Sequence, residues 1–387
     1  AILSLVEAKV VKAGDCKILI NDDPSPLVVS AGKSLLFTLG NNKIFLPSAC
    51  GGGGTCALCK CQVLEGGGNV LPTETGQLTR REQKNHVRLS CQVKVRADMR
   101  IRIPDEVFHI KKFECTVRSN RNVATFIKEL VLELPQDQPL HFNPGGYIQI
   151  DIPAYKLGFR DFDIPEQYRP DWDKYKLWDL KVENDEPIFR AYSMANHPGE
   201  KGVVILNIRI ATPPSNNGTV SPGKATSYMF HLKPGEKVTI SGPYGEFFIK
   251  DTNREMIYVG GGAGMAPLRS HLFHLFHTLK TKRKVSYWYG ARSKREMFYT
   301  EDFQAIEKDF SNFTYRVALS APLKEDDWKG PAGFIHSVVY DSYLKNHLEP
   351  EEVEYYLCGP PLMIAAVQKM LDTLGVPKEM IAFDSFG

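Results

Sequence analysis

The stretch Cys50-Gly-Gly-Gly-Gly-Thr-Cys56-Ala-Leu-Cys59, with Cys91 further along the chain, decides the fold of the N-terminal part. Each iron of a [2Fe–2S] cluster takes two cysteine sulfurs, so four thiolates at one place are the ligand set it needs. Glycines let a loop wrap closely around such a group, because glycine adopts positive φ freely, and they direct backbone N–H groups at its sulfides. The spacing is close to that of plant-type ferredoxins, with one more residue in the first gap. The sequence therefore predicts an iron–sulfur cluster bound by Cys50, Cys56, Cys59 and Cys91.

A structural zinc site is the alternative, because four-cysteine zinc sites are common in proteins. Zinc modules usually have two short Cys-x₂₋₄-Cys pairs, whereas here only Cys56 and Cys59 form one. Cys61 is close enough in sequence to replace Cys59 as a ligand, and strand geometry does not exclude it. We prefer Cys59 because its two-residue gap fits the pattern. Cys16 and Cys115 lie alone in alternating runs and are predicted to be core residues.

The composition indicates a globular protein with more than one domain. The 387 residues are enough for two or three cores, and 43% hydrophobic and 24% charged residues are ordinary values. A net charge of +3 gives no indication of nucleic-acid binding, and eight cysteines in so long a chain do not predict a disulfide framework. No run of eighteen apolar residues occurs, so no membrane span is predicted. Residues 1–12 start apolar and are interpreted as the remnant of a membrane anchor or as a linker.

Three patterns divide the rest of the chain. Residues 13–106 alternate short strand-like runs with turns, which predicts a small α+β unit that carries the cysteine loop. Residues 113–250 contain closely spaced strands without long helical periods, which indicates an antiparallel barrel. Inside this barrel, residues 154–187 have no clean period and are interpreted as an insertion or flap, a structureless loop. Residues 251–387 alternate strands with helices, which predicts a parallel α/β sheet.

The glycine loop Gly260-Gly-Gly-Ala-Gly264-Met-Ala-Pro267 follows a predicted strand and opens a predicted helix. In that context the glycines let a pyrophosphate approach the backbone, and the helix N-terminus supplies N–H donors. Arg292, Lys294 and Arg295 follow the next strand, where basic groups can accept a 2′-phosphate. The choice between NADH and NADPH therefore stays open on these residues alone. The predicted nucleotide-binding residues are Gly260, Gly262, Gly264, Pro267 and Arg292.

Two further motifs have side chains suited to a flavin and a nicotinamide. In Arg190-Ala-Tyr192-Ser193 the Arg can clamp a diphosphate, the Tyr can cover an aromatic ring, and the Ser hydroxyl can bond a ring nitrogen. Taken alone, this tetrapeptide is typical of an ordinary strand. Cys358-Gly359-Pro360 ends a strand at the place where α/β sheets bind ligands. The chain then ends Asp384-Ser-Phe386-Gly387, which by itself is typical of a frayed tail.

In this order, the motifs resemble the ferredoxin–NADP⁺ reductase superfamily fused to an N-terminal ferredoxin. Among such fusions, the chain is most similar to the family of the F subunit of the Na⁺-translocating NADH:quinone oxidoreductase. The resemblance implies a β-grasp-like [2Fe–2S] ferredoxin, an antiparallel FAD-binding β-barrel and a parallel NADH-binding α/β domain. The insertion at 154–187 is also a feature of that family. The matching segments are Ser48-Ala-Cys-Gly-Gly-Gly-Gly-Thr-Cys56, Arg190-Ala-Tyr-Ser-Met-Ala195, Ser241-Gly-Pro-Tyr-Gly-Glu-Phe-Phe248 and Tyr287-Trp-Tyr-Gly-Ala-Arg-Ser-Lys-Arg-Glu-Met-Phe298.

The resemblance also implies roles for residues. It implies NADH as the hydride donor, and Ser193 and Cys358 as the catalytic, positioning residues. Cys358, Gly359 and Pro360 would bind the nicotinamide nucleotide, and Phe386 would stack on the flavin ring until nicotinamide displaces it. The residues that would bind FAD are Arg190, Tyr192, Ser193, Gly223, Thr226 and Ser227.

The family further implies where the electrons go. They would pass singly through the cluster to other subunits of a membrane complex that reduces ubiquinone and translocates sodium, at the cytoplasmic face of the bacterial inner membrane. The family's N-terminal transmembrane helix would end about where this chain begins, so the chain is expected to be a soluble fragment. Two alternatives are a reductase component of a bacterial aromatic mono- or dioxygenase and a zinc-stabilised interaction protein.

Overall fold

The computed structural model describes residues 14–214 and 220–385, which divide into two units. One unit comprises the chain up to Lys112 together with Phe189–Ala191, and the other comprises Phe113–Ile188 and the chain from Tyr192 onward. Residues 1–12, interpreted as an anchor remnant, lie outside the described residues, as do Phe386 and Gly387. No helix within the described ranges has the length and apolar character needed to cross a bilayer. The domain boundaries drawn from the sequence stay predictions.

The first unit is a mixed sheet with short helices, which confirms the α+β prediction. Its sheet has the order β2-β1-β5-β3-β4, and among the pairs for which a register is defined only β1 and β5 run parallel. Leu35, Leu36 and Leu39 of the first helix are buried in one core with sheet residues such as Ile18. The helix begins after Ser34 because the Ser34 hydroxyl accepts a hydrogen bond from the Phe37 N–H. The strands are β1 (Asp15–Ile20), β2 (Leu27–Ser30), β3 (Lys60–Glu65), β4 (Val87–Leu89) and β5 (Met99–Arg102), and the helices are α1 (Leu35–Asn41), α2 (Pro72–Thr75) and α3 (Arg80–Lys84).

The second unit begins with a closed antiparallel barrel, as predicted. Its six-stranded sheet has the order β11-β8-β13-β6-β7-β12, and a bridge between Met194 and Leu206 joins the end of β11 back to β12. Closure pairs the two outer strands of the sheet with each other and encloses one hydrophobic core. The strands are β6 (Lys111–Ala124), β7 (Ile127–Glu133), β8 (Tyr147–Ile152), β9 (Tyr155–Gly158), β10 (Lys181–Asn184), β11 (Ile188–Ser193), β12 (Val203–Arg209) and β13 (Lys237–Tyr244), and the helices are α4 (Arg169–Lys174) and α5 (Lys224–His231).

The interpretation of residues 154–187 as a structureless loop is wrong. Strands β9 and β10 pair antiparallel, and α4 buries the side chain of Trp172 completely. The Trp172 Nε1–H donates to the Thr125 carbonyl at 3.0 Å, and the indole lies about 6 Å from the rings of Phe162 and Phe230. The sequence shows no period here because each element is only four to six residues long. Burial of aromatic side chains, rather than amphipathic periodicity, orders this segment.

A parallel five-stranded sheet completes the second unit and confirms the predicted α/β part. All its strand pairs are parallel, in the order β16-β15-β14-β17-β18. The chain end, which by itself is typical of a frayed tail, forms the edge strand of this sheet up to Ser385. The strands are β14 (Met256–Gly261), β15 (Val285–Ala291), β16 (Phe313–Leu319), β17 (Glu354–Gly359) and β18 (Ile381–Ser385), and the helices are α6 (Met265–Phe273, continued by a π turn at His274–Thr278), α7 (Thr300–Asp309), α8 (Ile335–Ser342) and α9 (Pro361–Thr373).

Replacing Trp172 with alanine is expected to destabilise the second unit by about 3–5 kcal/mol, because a deleted buried indole leaves a cavity. Denaturant unfolding followed by near-UV circular dichroism measures this loss. Leu348→Ala is the control, since Leu348 is 95% exposed and its truncation should change stability by less than about 0.5 kcal/mol. An equally small effect of Trp172→Ala would show that the insertion does not contribute to the core.

Candidate active site

The cysteine loop of the first unit brings the four predicted ligands together as two pairs. The sulfurs of Cys50 and Cys56 lie 3.4 Å apart. The side chain of Cys59 is hydrogen-bonded to that of Cys91, which lies two residues after β4. The loop reaches this arrangement with a left-handed backbone at several of its glycines, a conformation that costs glycine little. These glycines are Gly51, Gly52 and Gly54.

Within each pair, one sulfur is stabilised as a thiolate by a hydrogen bond from its partner thiol, whose own pKa is raised. Cys50 and Cys91 are the sulfurs with a lowered pKa, and Cys56 and Cys59 those with a raised pKa. The Cys56 thiol donates to the Cys50 sulfur and, with backbone N–H groups of the loop, lowers the pKa of Cys50 to about 3 against the effect of burial. The Cys59 thiol lowers the pKa of Cys91 in the same way. Sulfurs in this environment fit an iron–sulfur cluster, because each iron requires two thiolates and the sulfides accept backbone hydrogen bonds. Between residues 14 and 385, masked segment 215–219 apart, no group of three or more His, Cys, Asp or Glu side chains is arranged as the ligands of one metal ion.

Cys61 lies on β3 opposite Arg88 of β4 and is only 4% exposed. Burial raises its pKa to about 12, so it remains a neutral thiol within the hydrophobic core. Cys16 and Cys115 are also buried in hydrophobic cores, which confirms that prediction. We keep Cys59 rather than Cys61 in the proposed ligand set because the Cys59 side chain is hydrogen-bonded to that of Cys91.

The glycine loop joins β14 to α6, as predicted. Gly262 has a φ of 57° and open space where a side chain would stand, next to the first turn of the helix. A Cβ on Gly264 would lie 2.2 Å from the Cys358 carbonyl oxygen, so this position must be glycine for the turns after β14 and β17 to pack together. Pro267 lies in the first turn of α6. The loop can therefore accommodate a pyrophosphate at the helix N-terminus.

The two predicted catalytic residues both lie next to Asp384 at the end of the parallel sheet. The Ser193 hydroxyl, at the end of β11, donates to Asp384 Oδ2 at 2.8 Å. Asp384 on β18 is the register partner of Cys358 on β17. Cys358 is fully buried, and burial keeps its pKa far above the usual range, so it is a neutral thiol. Burial also raises the pKa of the Asp384 carboxyl, although the bond from Ser193 opposes this.

Sequence reasoning missed Asp384 because the chain end carries no periodic signal. The one clue in the sequence was that an acidic residue, Asp384, stands two positions before the aromatic residue Phe386. Only the pairing of β17 with β18 brings it to Cys358. Phe386, predicted to stack on the flavin, lies outside the described residues.

The residues predicted to bind FAD lie on β11 and at the start of α5. Arg190 is half-buried, and its Nη1 donates to the Phe189 carbonyl at 2.8 Å. Gly223 caps α5, and the Thr226 hydroxyl donates to the Gly223 carbonyl. The first N–H groups of α5 have no partner within the helix, as at any helix start, and suit a phosphate. Tyr192 and Ser227 complete the set, half-buried and fully buried respectively.

Family models match each of these parts. The 2Fe-2S iron-sulfur cluster binding domain matches residues 18–96, the oxidoreductase FAD-binding domain residues 174–249, and the oxidoreductase NAD-binding domain residues 258–369. The fold and these matches define an iron–sulfur flavoprotein oxidoreductase and confirm the predicted [2Fe–2S], FAD and nicotinamide cofactors. They do not support the alternative of a zinc-stabilised interaction protein.

Relatives along the whole chain narrow the class to one family. The F subunit of the Na(+)-translocating NADH-quinone reductase of Actinobacillus succinogenes is 55% identical over all of this chain and 95% of its own length. That of Neisseria meningitidis serogroup C is 56% identical over 98% of this chain and 94% of its own. The chain belongs to the family of the F subunit of the Na⁺-translocating NADH-quinone reductase. Among solved structures, the ferredoxin reductase in carbazole 1,9a-dioxygenase is 27% identical, with a TM-score of 0.64 over 97% of this chain and 99% of the other.

Replacing Cys91 with serine is expected to abolish the cluster while FAD stays bound, because the serine hydroxyl is a poor substitute for a thiolate ligand. Iron and acid-labile sulfide per chain, read with the visible spectrum, measure this. Cys61→Ser is the matched control and should retain the cluster. Loss of the cluster in Cys61→Ser but not in Cys59→Ser would contradict the proposed ligand set.

Proposed function

We propose that this chain oxidises NADH by hydride transfer to FAD and passes the electrons singly through a [2Fe–2S] cluster to the other subunits of a membrane quinone reductase. Its family membership at 55% identity along the whole chain is the observation that carries the proposal. The relatives are named for sodium translocation and quinone reduction, and we propose that the assembled complex performs both at the cytoplasmic face of the inner membrane. FAD supplies the conversion, because it accepts two electrons together and releases them one at a time.

The chain's own residues position the substrate. The open space at Gly262 and the N-terminus of α6 would receive the pyrophosphate of NADH. The turn that begins at Cys358 packs directly against this loop, so a nucleotide seated there has its nicotinamide end near β17. Alignment of this kind contributes more to a hydride transfer than acid–base chemistry does.

Ser193 and Asp384 would set the hydrogen bonding at the reacting atoms. Because the Ser193 hydroxyl donates to Asp384, its oxygen lone pairs are left to accept a hydrogen bond from a ring N–H. Both Cys358 and Ser193 are buried, which excludes water from this point. We propose that Ser193 and Cys358 contact the cofactors and that Asp384 acts through Ser193.

The alternative of a soluble oxygenase as electron acceptor has one observation in its favour. The ferredoxin reductase in carbazole 1,9a-dioxygenase shares the architecture over nearly the whole chain, although at only 27% identity. The much higher identity to the quinone reductase relatives favours the membrane complex as the acceptor.

The anaerobic visible spectrum during a titration with NADH tests the proposed function. Bleaching of the flavin together with loss of the broad iron–sulfur absorbance is the expected result, because both cofactors lie on one electron path. A flavin that NADH leaves oxidised would contradict the proposal.

Ser193→Ala and Asp384→Asn should both slow flavin reduction by NADH, by roughly ten- to a hundredfold for the serine variant, because misalignment is costly for hydride transfer. Stopped-flow absorbance at saturating NADH measures the rate constant. Ser337→Ala, at an exposed position on α8, is the control and should leave the rate unchanged. An unaltered rate in Ser193→Ala would refute the positioning role.

A further inference from the structure

The segment that follows β15 contains three basic residues, Arg292, Lys294 and Arg295. Dinucleotide-binding domains read the adenosine ribose at this place, with an acidic residue for a free 2′-hydroxyl or a basic one for a 2′-phosphate. The sequence of this segment alone therefore favours a phosphate at least as much as a hydroxyl.

In the structure, two carboxylates form salt bridges with the Arg295 guanidinium. Its Nη1 lies 3.2 Å from Asp171 Oδ2, and its Nη2 lies 3.2 Å from Glu325 Oε1. Asp171 comes from α4 in the barrel insertion, whereas Glu325 lies in the turn after β16. Two elements distant in sequence thus each supply one negative charge to the same guanidinium. The pairs are partly exposed, with about a third of the Arg295 side chain open to solvent.

The backbone of Lys294 and the side chain of Arg292, in the same segment, also have hydrogen-bond partners. The Lys294 backbone N–H donates to the carboxylate of Asp326 at 3.1 Å. The Tyr175 phenol, one residue after α4, bonds the Arg292 guanidinium, and together with the charges of Glu296 and Asp171 it raises the pKa of Arg292. Lys174 of the insertion lies over the Tyr175 ring, 5.5 Å from its centroid. Carboxylates from two other elements, Asp171 of α4 and Glu325 and Asp326 of the turn after β16, therefore lie at the segment that follows β15.

We propose that the insertion at 154–187, through Asp171, makes the nucleotide site selective for NADH over NADPH. Asp171 and Glu325 hold Arg295 so that it cannot form a bidentate pair with a 2′-phosphate, and their charges repel that group. A ribose hydroxyl, by contrast, can donate to a carboxylate. This inference rests on the proposed function and adds a role for the insertion and a physical reason for the choice of nucleotide.

The test compares flavin reduction by NADH and by NADPH in the full chain with its cofactors. In Asp171→Asn the ratio of kcat/KM for NADPH to that for NADH should rise roughly two- to fivefold, since one charge at a partly exposed site is removed. Glu325→Gln, at an exposed residue of the turn after β16, should raise the ratio in the same direction. Asp179→Asn is the matched control, because Asp179 belongs to the same insertion but pairs with Arg160 at 2.7 Å on the surface; its ratio should stay as in the wild type.

Inhibition supplies a readout that does not depend on turnover of NADPH. The inhibition constant of 2′-phospho-AMP should fall in Asp171→Asn and Glu325→Gln, whereas that of 5′-AMP should not fall. The difference between the responses of the two inhibitors should shrink at high salt, because salt screens the charges. If Asp171→Asn fails to fold, Asp171→Ser, which removes the same charge, takes its place in both measurements. Unchanged ratios and inhibition constants, in a protein whose flavin NADH still reduces, would overturn this inference only. Failure of NADH to reduce the wild-type flavin would overturn the proposed function instead.

Discussion

The ion pair between Arg269 and Glu200 joins the barrel to the parallel sheet, and the active site depends on it. Arg269 lies on α6, just after the glycine loop, and donates to both oxygens of Glu200 and to the Ala195 carbonyl. Its guanidinium also lies over the rings of Phe273 and Tyr299. A buried ion pair is a weak source of net stability, because desolvation offsets most of the attraction. Its directional hydrogen bonds instead hold the end of β11 at a defined position relative to the glycine loop between β14 and α6.

With the end of β11 held in this way, residues from three separate parts of the chain lie near one another: Ser193, Cys358 and Asp384. Ala195 lies two residues after Ser193, so the bond from Arg269 also fixes where β11 ends. Asp384 then receives the Ser193 hydroxyl and lies beside Cys358. The absence of a side chain at Gly264 lets the turns after β14 and β17 pack together. Burial of the Asp384 carboxyl and the Cys358 thiol explains why the pKa of each is raised, because desolvation disfavours the charged form.

The insertion shows how aromatic packing gives order where the sequence lacks a period. Trp172 anchors α4 in the barrel core, and this fixes the polar residues next to it in the chain. Asp171 and Tyr175 consequently face the loop after β15, where they contact Arg295 and Arg292. A segment that has the composition of a loose flap thus lies against the nucleotide-binding sheet of the same unit.

The sequence by itself determined the cofactor chemistry and the order of the folds. Cysteine spacing, the glycine loop and alternating apolar patterns are local features, since they depend on backbone conformation and side-chain periods within a few residues. It also predicted Cys50, Cys56, Cys59 and Cys91 together as one site. Only the tertiary structure decided that Asp384 faces Ser193 and that Asp171 pairs with Arg295, residues 191 and 124 positions apart. Such contacts depend on how strands pair and on which aromatic side chains fill the core, and neither leaves a local signal in the chain.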